Sequence, residues 1–181
     1  GNYLYACDLG ANAIFVYKIK NHPLAVEPLH TIEAEPGAGP RHMLFHPNQK
    51  FAYVVNELNG TVECFSTNKK NGNLSRIQTV ATTPDSLRTK AGSADIHITS
   101  DGKYLYTSNR GVFNEIICFE VNTKTGMLRI IGHYPSGGTG PRNFMISNNN
   151  RFMLVANQRS NKVVVFAIDP QNGALTPTDN S

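Results

Sequence analysis

The chain has 181 residues, 17 of them basic and 13 acidic, for a net charge of +4, and it lacks tryptophan. That length is enough for one ordinary domain with a sizeable core. The longest basic run is Lys69-Lys70, which excludes the basic stripe or tail of a nucleic-acid binder, and no apolar run approaches the roughly 20 residues of a membrane helix.

The opening "NYLYACDLGANAIFVYKI" reads as two strands around a turn, with no signal peptide ahead of it. It begins in mid-strand, so the natural chain is expected to extend upstream, where a targeting segment could have stood. Next comes "GPRHMLFHP" from Gly39, then "KFAYVVNELNGTVECFST" from Lys50. Strands are predicted near 41–46, 50–56, 61–67 and 74–80, with Asn59-Gly60 as a two-residue hairpin turn. "KYLYTSNRGVFNEIICFEV" from Lys103 and "RFMLVANQRSNKVVVFAI" from Arg151 repeat the pattern, and "GPRNFMISN" from Gly140 repeats the Gly-Pro-Arg entry.

These segments align. Asp8, Asn56, Asn109 and Asn157 are spaced 48, 53 and 48 residues apart; Tyr17, Phe65, Phe119 and Phe166 are spaced 48, 54 and 47. A third landmark is the turn at Asn71-Gly72, Thr125-Gly126 and Asn172-Gly173. A four-stranded antiparallel unit repeating every 40–50 residues or so marks a β-propeller blade. The fold class is therefore all-β, a partial β-propeller with repeats at about 1–35, 36–82, 90–135 and 140–181. The first unit lacks its innermost strand and the last stops as its outermost begins, leaving about three and a half blades. The missing blades are expected from an N-terminal half or from another chain.

Comparing repeats separates scaffold from function. Asp8, Asn56, Asn109 and Asn157 keep one short polar type, as strand-end capping requires. The next slot holds Leu9, Glu57, Arg110 and Gln158, which change sign from unit to unit. At the start of the inner strands one slot holds Arg41, Ala94 and Arg142, and its neighbour holds His42, Asp95 and Asn143. The start of one antiparallel strand lies beside the end of the next. Arg41, His42, Glu57, Asp95, Arg110, Arg142 and Asn143 should thus converge on one mouth of the channel. Guanidinium forks there suit a carboxylate or phosphate. Glu57 is either a general base or electrostatic partner, or a structural ion-pair partner.

His97 shares a slot with Leu44 and Met145, so it is either a satisfied inner-strand histidine or a channel-facing acid/base or substrate contact. Cys64 and Cys118 share a slot with valines and read as core, and Cys7 falls at a small-residue position. Three cysteines without close spacing argue against disulfides and zinc and suit a reducing, cytoplasmic compartment. His22, His30 and His133 lack metal-ligand spacing, no acidic run resembles a calcium loop, and "GGTG" at 137–140 is not followed by a helix. No metal site is expected.

"GAGPRHMLFHPNQKFAYVVNEL" (37–58), "SADIHITSDGKYLYTSNRG" (93–111) and "GPRNFMISNNNRFMLVANQ" (140–158) resemble the lactonase propeller family over essentially the whole chain. The resemblance implies a seven-bladed propeller, of which this chain would be the C-terminal part, working without metal or organic cofactor. It implies hydrolysis of an anionic sugar lactone such as 6-phosphogluconolactone, in the pentose phosphate pathway. It also implies Arg41, Glu57 and Arg110 as catalytic residues, with Arg142, His42, Asp95, His97 and Asn143 in substrate binding. The family's further catalytic histidine would lie ahead of Gly1, so the chain alone is expected to be inactive. The partner is a small lactone, with no nucleic acid and no membrane. Two alternatives stand: a carboxymuconate-type lactonizing cycloisomerase, and a non-catalytic ligand- or protein-binding propeller.

Overall fold

A computed structural model describes residues 2–21 and 24–178, so His22 lies outside the described residues. Sheet one contains β1 (Tyr3–Asp8), β2 (Ala13–Asn21) and β3 (Leu24–Glu33). Sheet two contains β4 (Pro40–Phe45), β5 (Phe51–Asn56), β6 (Thr61–Asn68) and β7 (Asn73–Ala81). Sheet three contains β8 (Ser93–Ile98), β9 (Tyr104–Asn109), β10 (Glu115–Val121) and β11 (Leu128–Pro135). Sheet four contains β12 (Pro141–Ile146), β13 (Phe152–Asn157), β14 (Lys162–Ile168) and β15 (Leu175–Pro177). Each sheet is an antiparallel meander in chain order, and the one helical turn among the described residues is the 3-10 segment Asp85–Lys90.

The sheets stack face to face, which is why β5 and β9 are buried along their whole length. One seam joins Phe51, Tyr53 and Cys64 to Leu105, Ile117 and Phe119; the next joins Tyr106 and Cys118 to Phe144, Met153 and Phe166. Burial in these seams pushes the Cys64 and Cys118 thiols up to about 12, so neither offers a thiolate.

The repeating turn glycines have a stacking role. A Cβ on Gly72, Gly126 or Gly173 would fall 2.7, 2.3 or 2.6 Å from the ring of Tyr3, Phe51 or Tyr104 in the preceding sheet. The Tyr3 and Tyr104 hydroxyls also donate to Lys70 and Gln171 carbonyls. Phe152 occupies the same slot in sheet four and is exposed.

One turn differs from expectation. Asn56 pairs directly with Thr61, so Glu57–Gly60 form a four-residue loop rather than a two-residue hairpin turn. The N–H groups of Glu57 and Leu58 donate to the Gly39 and Ala38 carbonyls at 2.8 and 3.0 Å. Those bonds draw the loop towards the entry of β4 and leave Asn59-Gly60 as its last half.

Candidate functional site

The Gly-Pro-Arg entry is a device for aiming side chains. Gly39, Gly92 and Gly140 sit at φ of 65°, 56° and 72°, a left-handed backbone that glycine adopts without strain. Their carbonyls accept the N–H of Glu57, Arg110 and Gln158, at 2.8, 3.3 and 2.8 Å. The variable slot of each sheet is thus tied to the start of its inner strand. Each inner strand then bulges: the pairing register slips between Pro40 and His42, between Ser93 and Ile96, and between Pro141 and Asn143. A bulge leaves one residue off the ladder and re-aims it. In β4 and β12 that residue is an arginine, Arg41 or Arg142.

Two polar groups result. In the first, Glu57 bridges two arginines: Arg41 Nε lies 2.9 Å from Oε2 and Arg110 Nη2 2.7 Å from Oε1. Backbone carbonyls anchor both guanidiniums, Ala94 O taking Arg41 Nη1 and Gly92 O taking Arg110 Nε. Burial lowers the Arg41 pKa, and the nearby Arg110 and Arg142 charges lower it further, against Glu57 and Asp95. Arg142 is exposed and forms no ion pair among the described residues. Two guanidiniums therefore share the Glu57 carboxylate, with a third, Arg142, close by.

The second group centres on Asp95, whose side chain is 4% exposed. His42 Nδ1 and Ile96 N–H approach Oδ1 at 2.9 and 3.0 Å; His97 Nε2, Asn143 Nδ2 and Phe144 N–H approach Oδ2 at 3.2, 2.5 and 3.0 Å. Burial alone would raise this carboxyl. The bonds from His42, His97 and the Phe144 N–H outweigh that and hold it well below the ordinary carboxylate range. One carboxylate thereby links β4, β8 and β12. The two groups touch where Arg41 Nη1 meets His42 Nε2 at 3.2 Å.

Two clefts share Arg41 and His42. One also includes Tyr5, Cys7, Asp95 and His97; the other includes Arg142, Asn143 and Gln158. All eight residues singled out from the sequence thus fall in one connected region. The Ala94 and Gly92 carbonyl acceptors and Gln158 were not foreseen. Carbonyls carry no side-chain signal, whereas Gln158 stood in the same variable slot as Glu57 and could have been named. Burial pushes the Cys7 thiol up to about 12, so that cleft presents a thiol rather than a nucleophile. Among the described residues no cluster of His, Cys, Asp and Glu could hold a metal ion, and no helix is long and apolar enough to cross a membrane.

Antiparallel sheets stacked face to face, with an arginine-rich polar cluster at the entries of their inner strands, define part of a β-propeller. The sequence profile described as "Lactonase, 7-bladed beta-propeller" matches residues 1–181, and the chain belongs to that family. It is 41% identical over 181 residues to a 6-phosphogluconolactonase of Formosa agariphila, covering 96% of this chain and 50% of that protein. It is 36% identical over 175 residues to the Bacillus subtilis 6-phosphogluconolactonase, covering 97% and 49%. The solved structure of the periplasmic gluconolactonase of Pseudomonas aeruginosa superposes with a TM-score of 0.91 at 38% identity, over 99% of this chain and 50% of that one. The chain spans about half the length of the curated relatives it matches.

Proposed function

We propose that this chain supplies the anion-binding rim of a lactone hydrolase that opens 6-phosphogluconolactone with water. The observation that carries the reading is the Arg41–Glu57–Arg110 bridge with Arg142 free beside it. Asp95 spends its charge on histidine and amide donors, so the guanidiniums outnumber the carboxylates left to neutralise them. Such a rim attracts a phosphate or carboxylate and can stabilise the oxyanion that develops when water attacks a lactone carbonyl. His42, His97 and Asn143 contribute polar contacts to the bound sugar acid, and Asp95 holds all three in place. The names of the Formosa and Bacillus relatives favour the same substrate.

Four stacked sheets do not close a seven-bladed ring. The reading therefore includes further blades, from a longer chain or a second one, packed against the exposed Phe152 slot and the open side of sheet one. The three free cysteines favour a cytoplasmic setting; cell fractionation checks this against the periplasmic location of the Pseudomonas relative.

The test follows acid release from freshly prepared 6-phosphogluconolactone. A protein carrying this chain and a complete ring should exceed the spontaneous rate, and Arg41→Ala should abolish the excess. The 181-residue chain alone should be inactive. No acceleration by the complete ring would refute the reading.

A further inference from the structure

We infer that His42, oriented by Asp95, is the base that activates water in this site, and that Glu57 is an electrostatic anchor; the inference rests on the lactonase reading. A base needs an unshared lone pair within reach of the substrate. The Glu57 carboxylate is the counter-charge of two guanidiniums, at 2.9 and 2.7 Å, so taking up a proton there would strip both arginines of their partner. Asp95 is buried and its two oxygens take five donors. Among the described residues, the proton acceptors that remain in this region are the imidazoles of His42 and His97.

Two independent contacts set the His42 tautomer. Nδ1 faces the ionised Asp95 carboxylate, which only accepts, so Nδ1 carries the hydrogen. Nε2 faces Arg41 Nη1, which only donates, so Nε2 carries the lone pair. The Arg41 contact is long at 3.2 Å, and the same Nη1 keeps a closer bond to the Ala94 carbonyl. A water can therefore take the Nε2 lone pair without unseating Arg41. The His42 side chain is 44% exposed and lies where the two clefts meet. Its base would thus work beside the guanidinium proposed to hold the oxyanion. His97 gives Nε2 to Asp95 and packs edge-on against Phe144. Among the described residues it borders one of the two clefts, and no guanidinium bonds to it.

In the step, Nε2 takes a proton from water as the water oxygen bonds to the lactone carbonyl carbon. The tetrahedral intermediate collapses by breaking the ring C–O bond. The proton returns from His42 to the departing ring oxygen. The new carboxylic acid ionises and releases one proton to solvent. Asp95 stays ionised throughout and is a positioning residue. The charged and titratable groups facing His42 are Arg41 on its own strand, Asp95 and His97 from β8, and Arg142 from β12. Glu57 and Arg110 stand behind Arg41, and Tyr5 and Cys7 face it from β1.

His42→Gln, His97→Gln, Glu57→Gln and Asp95→Asn are compared in the complete-ring protein, as kcat and KM across pH. His42→Gln is expected to lower kcat about 10²–10⁴-fold, the usual contribution of general-base catalysis, with KM changed less than about threefold. It should also erase the acid limb of the kcat/KM profile, which His97→Gln and Glu57→Gln keep. Asp95→Asn turns an amide towards Nδ1 and selects the wrong tautomer, so kcat falls again. Added imidazole should restore part of the rate to His42→Ala. Because Asp95 ties three strands, its variant is also checked by thermal melting. Nitrogen NMR of the imidazole gives a readout independent of activity: neutral His42 should be protonated at Nδ1.

A His42→Gln enzyme that keeps its rate and acid limb while the wild type accelerates hydrolysis would overturn this inference alone. Protonation at Nε2 would do the same, as would loss of the acid limb in Glu57→Gln. No acceleration by the wild type would remove the lactonase reading and this inference together.

Discussion

Replacing Glu57 by glutamine tests the central claim about the mouth, that one carboxylate holds two guanidiniums in place. An exposed ion pair contributes about 0.2–1 kcal/mol, whereas stripping one partner from a buried pair costs about 3–5 kcal/mol. The Glu57 side chain is 25% exposed, and those of Arg41 and Arg110 are 14% and 16% exposed. The geometry therefore lies nearer the buried limit. Glutamine can still accept from one arginine, but its amide nitrogen then meets the other donor to donor, while Arg41 and Arg110 repel. The expected loss is about 3 kcal/mol. For a chain of this size that lowers Tm by about 6–12 °C. Circular-dichroism melts and urea titrations at neutral pH measure it. Because the pair is largely shielded from solvent, raising the salt should change the difference little. Glu57→Asp, one methylene shorter, should reach one arginine and fall between. A Glu57→Gln protein that melts within about 1 °C of wild type, or above it, would refute the reasoning: the arginines would then be held by the Ala94 and Gly92 carbonyls alone.

Arg142→Ala removes an exposed cation without an ion pair, so Tm should stay within about 1 °C while KM for an anionic lactone rises about tenfold or more, read from steady-state kinetics. Glu63 is buried with Arg76 Nε at 2.8 Å, yet neither of its carboxylate oxygens receives a well-aligned hydrogen bond. Burial raises its pKa, against the opposing Arg76 charge. A raised carboxylate stabilises the fold below its unfolded pKa and loses that contribution as pH rises through the folded value. Glu63→Gln removes that pH-dependent loss, so its stability relative to wild type should be greater at neutral pH than at about pH 4, where the wild-type carboxyl is already neutral; urea titrations at the two pH values decide, and a difference that does not change between them refutes the raised carboxyl. Gly126→Ala combines a φ of 78° with a Cβ 2.3 Å from the buried Phe51 ring. Left-handed strain and overpacking together should cost about 3 kcal/mol, visible as a Tm drop of about 6–12 °C.

Much of the architecture is legible in the residues. The strands of sheet two lie within a residue or two of the expected spans because β-branched and aromatic runs alternate with Gly, Asn and Pro turns, a short-range pattern. The misread turn at Asn59-Gly60 shows where this stops. The dipeptide favours a tight hairpin locally, but hydrogen bonds to Ala38 and Gly39, some twenty residues earlier, widen the loop and swing Glu57 towards β4. The polar cluster is legible as slots whose residue type changes between repeats, and Arg41, Glu57 and Arg110 stand in those slots.

The sequence by itself determined the repeat, the strand content and the candidates for chemistry, since each rests on residue types a few positions apart. Only the tertiary structure decided how those candidates share their hydrogen bonds. His42 and Asp95 are 53 residues apart in the chain, and Arg41 reaches a backbone carbonyl that no side chain advertises. Which lone pair stays free depends on angles and distances across three bulged strands, and a linear pattern of residue types carries neither.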